Sequence, residues 1–282
     1  MHDRRFGVST QLFLDNRLTL AHLVEISASG IETVEVFGSR SHFDYSDTGE
    51  VDALGHWLSE ARLDFHSLRA PTTAMTGSTS VGVCSTASGD EAERRAAVEE
   101  AKAALDVARI VPYRCLVVRL GVPGDAGPRA TDNQPGAARR SLQEIADLAQ
   151  DVGVEVAVEM IPNPLSSPDA LVHLLEEEPD LHNVGICLDF GHAHVLGNVV
   201  DTIETISGHL IATHMHDNTG RRDDHLVPGA GTIDWEAAMM ATQKVGYDGV
   251  MMFDTAGGND PADVLRRCAG ARRRLDRMFV TF

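Results

Sequence analysis

From one end of the chain to the other, short apolar runs rich in Val, Ile and Leu alternate with longer segments of helical period. Eight runs read as strands: residues 6–13, 31–37, 63–68, 114–120, 154–161, 184–190, 210–216 and 249–254. The helical segments are 18–29, 52–61, 90–110, 136–151, 168–177, 199–207, 234–245 and 260–278. Gly30 stands where a first helix would need its C′ glycine, and Asp234 stands as an N-cap before Trp235. Residues 71–90, rich in Thr, Ser and Gly, have no period and read as one long loop at the mouth of a site, or equally as a disordered insertion with no role. Strand and helix alternating eight times predict an α/β fold, a (β/α)8 TIM barrel in one domain over residues 1–282. An open doubly wound sheet is the alternative, but no Gly-rich phosphate turn follows the first strand.

In such a barrel the reactive groups gather at the C-terminal ends of the strands. Polar residues recur there: Glu35, His66 with Arg69, Arg119, Glu159, Asp189, His214 with His216, and Asp254. Each sits in or just beyond an apolar run, where an unneutralised charge is costly. His214 and His216 are two apart, so on a strand both rings face one space. His192 follows strand six, and Asp223 and His225 follow strand seven. Carboxylate with imidazole is the donor set of a divalent transition metal, and one such ion would neutralise Glu159, Asp189 and Asp254 together. Arg69 and Arg119 offer the other solution, ion pairs with Glu35 or Glu159; unpaired, they would suit an anionic substrate group.

The formal net charge of −18 disfavours a nucleic-acid partner, as does an aromatic content of 5%. No run is long and apolar enough to span a membrane, and the N-terminus has no apolar leader, so a cytoplasmic location and no membrane partner are expected. Cys84, Cys115, Cys187 and Cys268 are widely spaced and form no metal or disulfide motif.

Four blocks resemble the sugar phosphate isomerase/epimerase-like proteins of the xylose isomerase-like TIM-barrel superfamily, which includes the endonuclease IV type and the ketose 3-epimerases. They are residues 158–163 (VEMIPN), 187–193 (CLDFGHA), 214–218 (HMHDN) with 223–225 (DDH), and 229–235 (GAGTIDW). The resemblance implies a common metal on Glu159, Asp189, His216 and Asp254, the ion being Mn, Zn, Co or Mg. A second metal, or the substrate, would fall to His192, Asp223 and His225. It also implies an isomerase or epimerase acting on a small sugar, sugar phosphate or related polyhydroxy carbonyl compound. Glu159 and Asp254 would be the acid/base pair, with His192 on a substrate oxygen and Arg69, Arg119, His214 and His66 binding substrate. A lyase or dehydratase, an endonuclease-like phosphodiesterase and a metabolite-binding barrel without chemistry are the alternatives, and a homo-oligomer is compatible with any of them. Three positions depart from the family. Arg69 stands where many relatives carry His, Arg119 where endonuclease-like members carry a metal-binding His, and Asp254 where Glu is usual. A guanidinium cannot ligate a metal.

Overall fold

A computed structural model describes residues 5–76, 79–178 and 180–279. Eight parallel strands close into a barrel: β1 (Phe6–Ser9), β2 (Thr33–Phe37), β3 (Asp64–Arg69), β6 (Cys115–Arg119), β7 (Glu155–Glu159), β8 (Val184–Asp189), β9 (Leu210–Met215) and β10 (Met251–Phe253). β1 closes on β10, and every other strand pairs with its chain neighbours in the barrel. Helices wrap the outside: α1 (Leu20–Ala28), α2 (Thr48–Ala61), α3 (Glu91–Asp106), α4 (Pro135–Asp151), α5 (Pro168–Glu177), α6 (Phe190–Leu196), α7 (Val199–Thr205), α8 (Trp235–Lys244) and α9 (Pro261–Asp276). The TIM barrel expected from the alternation is the fold found.

The main core lies between the barrel wall and this helical coat. α4 shows why: Ala138, Leu142, Ile145 and Ala149 recur at three- and four-residue spacing and are buried, while the opposite face is charged. Each large aliphatic side chain buried this way contributes about 1.5–3 kcal/mol. Inside the barrel the packing is smaller. Cys115, Val117, Ala157, Cys187 and Ala212 form a separate interior cluster. Two residues further along the same strands come Arg119, Glu159, Asp189 and His214. The period of two therefore stacks a charged layer directly on a small apolar one.

Local chemistry sets several boundaries. Gly30 adopts φ 86° just past α1, and the Asp234 side chain accepts from Ala237 N at the start of α8, as the sequence implies. The run at 6–13 is not all strand: Ser9 caps a 3-10 turn over Thr10–Phe13. α2 starts at Thr48 because Asp47 accepts from Gly49 N and Glu50 N. α6 has no signal of its own in the sequence, since strand passes into helix without a turn residue. Asp189 ends β8 and also caps α6, accepting from His192 N at 2.8 Å. Within the stretch expected to be an irregular loop, β4 (Thr73–Thr76) and β5 (Thr79–Val83) pair antiparallel.

Candidate metal centre

The C-terminal mouth of the barrel holds a continuous buried layer of ionisable side chains, and it divides into two parts around Asp189.

The first part is held by arginine. Arg69, 1% exposed, donates from Nη2 to Glu159 Oε1 at 2.6 Å and from Nη1 to Asp254 Oδ2 at 2.8 Å. Its Nη1 also donates to Gln11 Oε1 at 2.8 Å. Arg119 grips Glu159 from the neighbouring strand, Nε to Oε2 at 2.7 Å and Nη2 to Oε1 at 3.0 Å. His214 points Nε2 at Glu35 Oε2, 3.0 Å away, and Nδ1 at Glu159 Oε1, 3.4 Å away. Ser67 donates to the same Glu35 oxygen. Burial disfavours charge on His214, but Cys187 together with Glu35 and Asp254 outweighs it and holds its pKa well above the ordinary value. Burial likewise favours the neutral acid of Glu159, but Arg119 and Arg69 hold its pKa well below the usual carboxylate range. Asp254 moves the same way: burial is overcome by Arg69 and His214. Three carboxylates, Glu35, Glu159 and Asp254, thus face two guanidinium groups and one imidazolium. The chain neutralises this part by itself.

The second part is held by histidine. Asp189, His192 and His216 each offer a donor atom within 4.8 Å of the others, and so do His216, Asp223 and His225. His192 Nδ1 donates to the Met160 carbonyl at 2.7 Å, and His225 Nδ1 to the Asp254 carbonyl at 2.6 Å. A carbonyl can only accept, so each ring keeps its proton on Nδ1 and, when neutral, turns the Nε2 lone pair inward. Both Nε2 atoms face Asp223 Oδ2, at 3.0 Å and 3.1 Å. His216 Nε2 lies 2.9 Å from Asp189 Oδ1 and 3.4 Å from Asp223 Oδ1, yet neither contact is aligned as a hydrogen bond. Donors sharing one ion at ~2.1 Å bonds stand about 3.0–3.4 Å apart.

Among the described residues, Asp189 Oδ2, both ring nitrogens of His216 and Asp223 Oδ1 are buried without a hydrogen-bond partner. In the arginine part the same is true of Glu35 Oε1, Arg69 Nε and Asp254 Oδ1. Each such atom costs about 1–3 kcal/mol. Two carboxylates and three imidazoles, several without partners, fit a divalent cation. The pKa directions express the same demand. Burial lowers the pKa of His192 and His225, yet the Asp189 carboxylate for the first and Asp223 for the second outweigh it, and His225 rises to about 9. Asp189 and Asp223 are held low against burial by the histidines around them. Two positive charges are called for, as two protons or as one divalent ion.

Backbone geometry fixes this arrangement. A Cβ at Gly191 would lie 1.8 Å from the His216 ring, so only glycine lets α6 start beside that imidazole. The loop carrying Asp223 and His225 is tied down by buried Asp217, which accepts from Gly229 N (2.7 Å), Ile233 N (3.2 Å) and Trp235 Nε1 (2.9 Å). Asn218 Nδ2 donates to the Gly191 carbonyl, joining that loop to α6.

The expected ligand quartet is therefore brought together only in part. Asp189 is common to both halves, but Glu159 and Asp254 come within common reach of Asp189 and His214, whereas His216 groups with Asp189 and His192. His192 Nδ1 is taken by the Met160 carbonyl, so only Nε2, which faces Asp223, is left to meet an ion or a substrate oxygen. His214 is consumed inside the charged layer. His66 is not at the mouth at all. It is the extra residue of a bulge, between the pairs Val34–Phe65 and Glu35–Ser67. There its charged neighbours are Glu35, Arg114, Arg5 and Asp64, mostly at strand starts. Arg119 alone of the two arginines reaches the surface, at 22% side-chain exposure, and it lines a cavity of about 180 Å³ with Pro71, Thr72, Cys84 and Thr86. The sequence assigned no role to Gln11, to Asp217 of the 214–218 block or to Gly191 of the 187–193 block. A lone amide, acid or glycine carries no periodic signal.

A family model described as a xylose isomerase-like TIM barrel matches residues 23–274. The chain is 25% identical over 274 residues to a putative hydroxypyruvate isomerase of Streptomyces coelicolor, covering 92% of this chain and 93% of that one. Its fold superposes on a D-tagatose 3-epimerase-like protein with a TM-score of 0.78 at 23% identity, covering 97% and 98% of the two chains. It is also similar to an IOLI protein described with a binding zinc atom, at a TM-score of 0.75 and 16% identity over 99% of this chain and 100% of that one. Among the described residues no helix is long and apolar enough to cross a membrane.

Proposed function

This chain belongs to the xylose isomerase-like TIM-barrel family, and we propose that it is a divalent-metal-dependent isomerase or epimerase of a small polyhydroxy carbonyl compound. The observation that carries the reading is the set of partnerless buried donors of Asp189, His216 and Asp223 beside a carboxylate, Asp254, with one free oxygen. Asp189, His216, Asp223 and His225 would hold the ion, with His192 completing the ring of donors. Mn, Zn, Co and Mg all accept such a mixed set to differing degrees. When bound, the ion polarises a carbonyl and so acidifies a proton on the adjacent carbon.

The two flanking carboxylates are not equivalent. Both oxygens of Glu159 are taken by arginine, whereas Asp254 gives one oxygen to Arg69 and keeps Oδ1 free. Asp254 is thus the acid/base group, and Glu159 orients the two guanidiniums. Arg69 keeps Asp254 ionised at neutral pH at some loss of basicity. Arg119, at the edge of its cavity, is placed to meet a substrate oxygen or anionic group. The support for a carbohydrate-like substrate is the named activity of the relatives. A second reading, a metabolite-binding barrel without turnover, is favoured by the saturation of Glu159.

Proton exchange separates the two. In D2O, with Mn²⁺ or Mg²⁺, ¹H NMR of a panel of ketoses and hydroxypyruvate should show deuterium entering beside the carbonyl of one member, and Asp254→Asn should abolish it. Tight binding of a panel member without exchange would favour the binding protein. Neither binding nor exchange would remove the reading.

A further inference from the structure

The placement of Arg69 reaches beyond ion pairing. Its two Nη atoms contact two carboxylates from two different strands, Glu159 on β7 and Asp254 just past β10, at 2.6 Å and 2.8 Å. Arg69 itself is fully buried, and so are both acids. These two acids are half of the quartet that the sequence resemblance would give to a single ion. We infer that Arg69 is a built-in cation that stands in for a metal between Glu159 and Asp254, and that it confines divalent binding to the histidine side of Asp189. The inference rests on the metal reading above but concerns where the ion goes, and its test separates the two.

Three observations support it. The fork bridges the acids as a shared ion would, and its charge cannot be lost, because a guanidinium does not deprotonate in proteins. The remaining negative charge of Glu159 is met by Arg119, which donates to both of its oxygens. A divalent ion added to that half would meet two guanidiniums within a few ångströms in a dry interior, where repulsion is strong. On the other side, among the described residues, Asp189 Oδ2, both nitrogens of His216 and Asp223 Oδ1 lack partners, and the ion pairs of Asp189 and Asp223 are to imidazoles. Arg69 is therefore a specificity-determining residue for ion number and position.

Ion stoichiometry of the metal-stripped full chain, titrated with Mn²⁺ or Co²⁺ under equilibrium dialysis, reads this directly. The wild type should bind one ion per chain, and Arg69→His should bind two, since it removes the fixed charge and supplies a donor. Asp254→Asn should leave the wild-type ion affinity within about threefold, while Asp189→Asn lowers it more than a hundredfold; this pair carries the test should Arg69→His fail to fold by circular dichroism. Two ions on the wild type overturn the inference, and so does a folded Arg69→His that gains no ion. An equal loss from Asp254→Asn and Asp189→Asn overturns it as well. A wild type with no ion and Arg69→His with one would sink the metal-dependent function while upholding the role of Arg69.

Discussion

The two halves of the barrel mouth solve the same electrostatic problem in different ways. Both bring carboxylates into a dry interior, where an isolated ionised acid is prohibitively expensive. On one side Arg69, Arg119 and His214 supply the opposing charge from within the chain. On the other, the cationic partners of Asp189 and Asp223 among the described residues are imidazoles, and several donor atoms converge without hydrogen bonds. The first half is complete when the chain folds. The second is completed by protons or by an ion, which makes it the half that can respond to solution conditions. Asp189 belongs to both, because it ends β8, caps α6 and borders each group.

Substitutions that strip one half and not the other sharpen this contrast. The largest effect should come from Asp189→Asn, which removes a shared donor: metal affinity and any proton exchange should fall by more than two orders of magnitude, measured by dialysis and NMR. Next is Arg69→Gln in the arginine half. Leaving Asp254 without its guanidinium and Glu159 with Arg119 alone in a buried site should cost about 3–5 kcal/mol of stability in metal-free buffer, read by denaturant titration. Added Mn²⁺ should restore part of it, because the vacated acids can then share an ion.

A control lies below both halves. Burial, with a smaller opposing pull from Glu35, pushes His66 down to a pKa of about 4, against an ordinary 6.5. The unfolded chain therefore takes up a proton near pH 6.5 that the folded chain refuses until about pH 4. The stability associated with His66 is whole above pH 6.5 and is lost as pH falls toward 4, by about 3 kcal/mol in all. His66→Gln should flatten that slope in pH-dependent denaturation and leave metal binding unchanged. The smallest change should be Asp217→Asn, which weakens the tie to the Trp235 indole and two backbone amides. Metal affinity should drop about 10–100-fold through a loosened Asp223–His225 loop, with little change in global stability.

The barrel itself was legible in the sequence because eight buried strands leave eight apolar runs, and each needs an amphipathic helix to cover it. Asp234 and Gly30 were legible because caps have residue requirements that do not depend on the rest of the fold. α6 was not, because Asp189 serves as strand end, helix cap and candidate ligand at once, so no polar break marks the boundary. The residues of the candidate site could be read from the period of two that carries Ala157 to Glu159, Cys187 to Asp189 and Ala212 to His214 to His216. Their partners could not. Whether Glu159 meets a metal or Arg69 depends on a contact across the barrel between strands some ninety positions apart, and no local pattern encodes it. His66 misled for a related reason: the bulge after Val34 shifts the register, and a one-residue shift moves a side chain to a different level of the barrel.

The most direct test of this division is the anomalous scattering from a crystal of the full chain grown with Mn²⁺. A single peak within about 2.3 Å of donors from Asp189, His216 and the Asp223–His225 loop, with Arg69 still bridging Glu159 and Asp254, is the predicted result. A peak between Glu159 and Asp254, with the Arg69 side chain displaced, would contradict it.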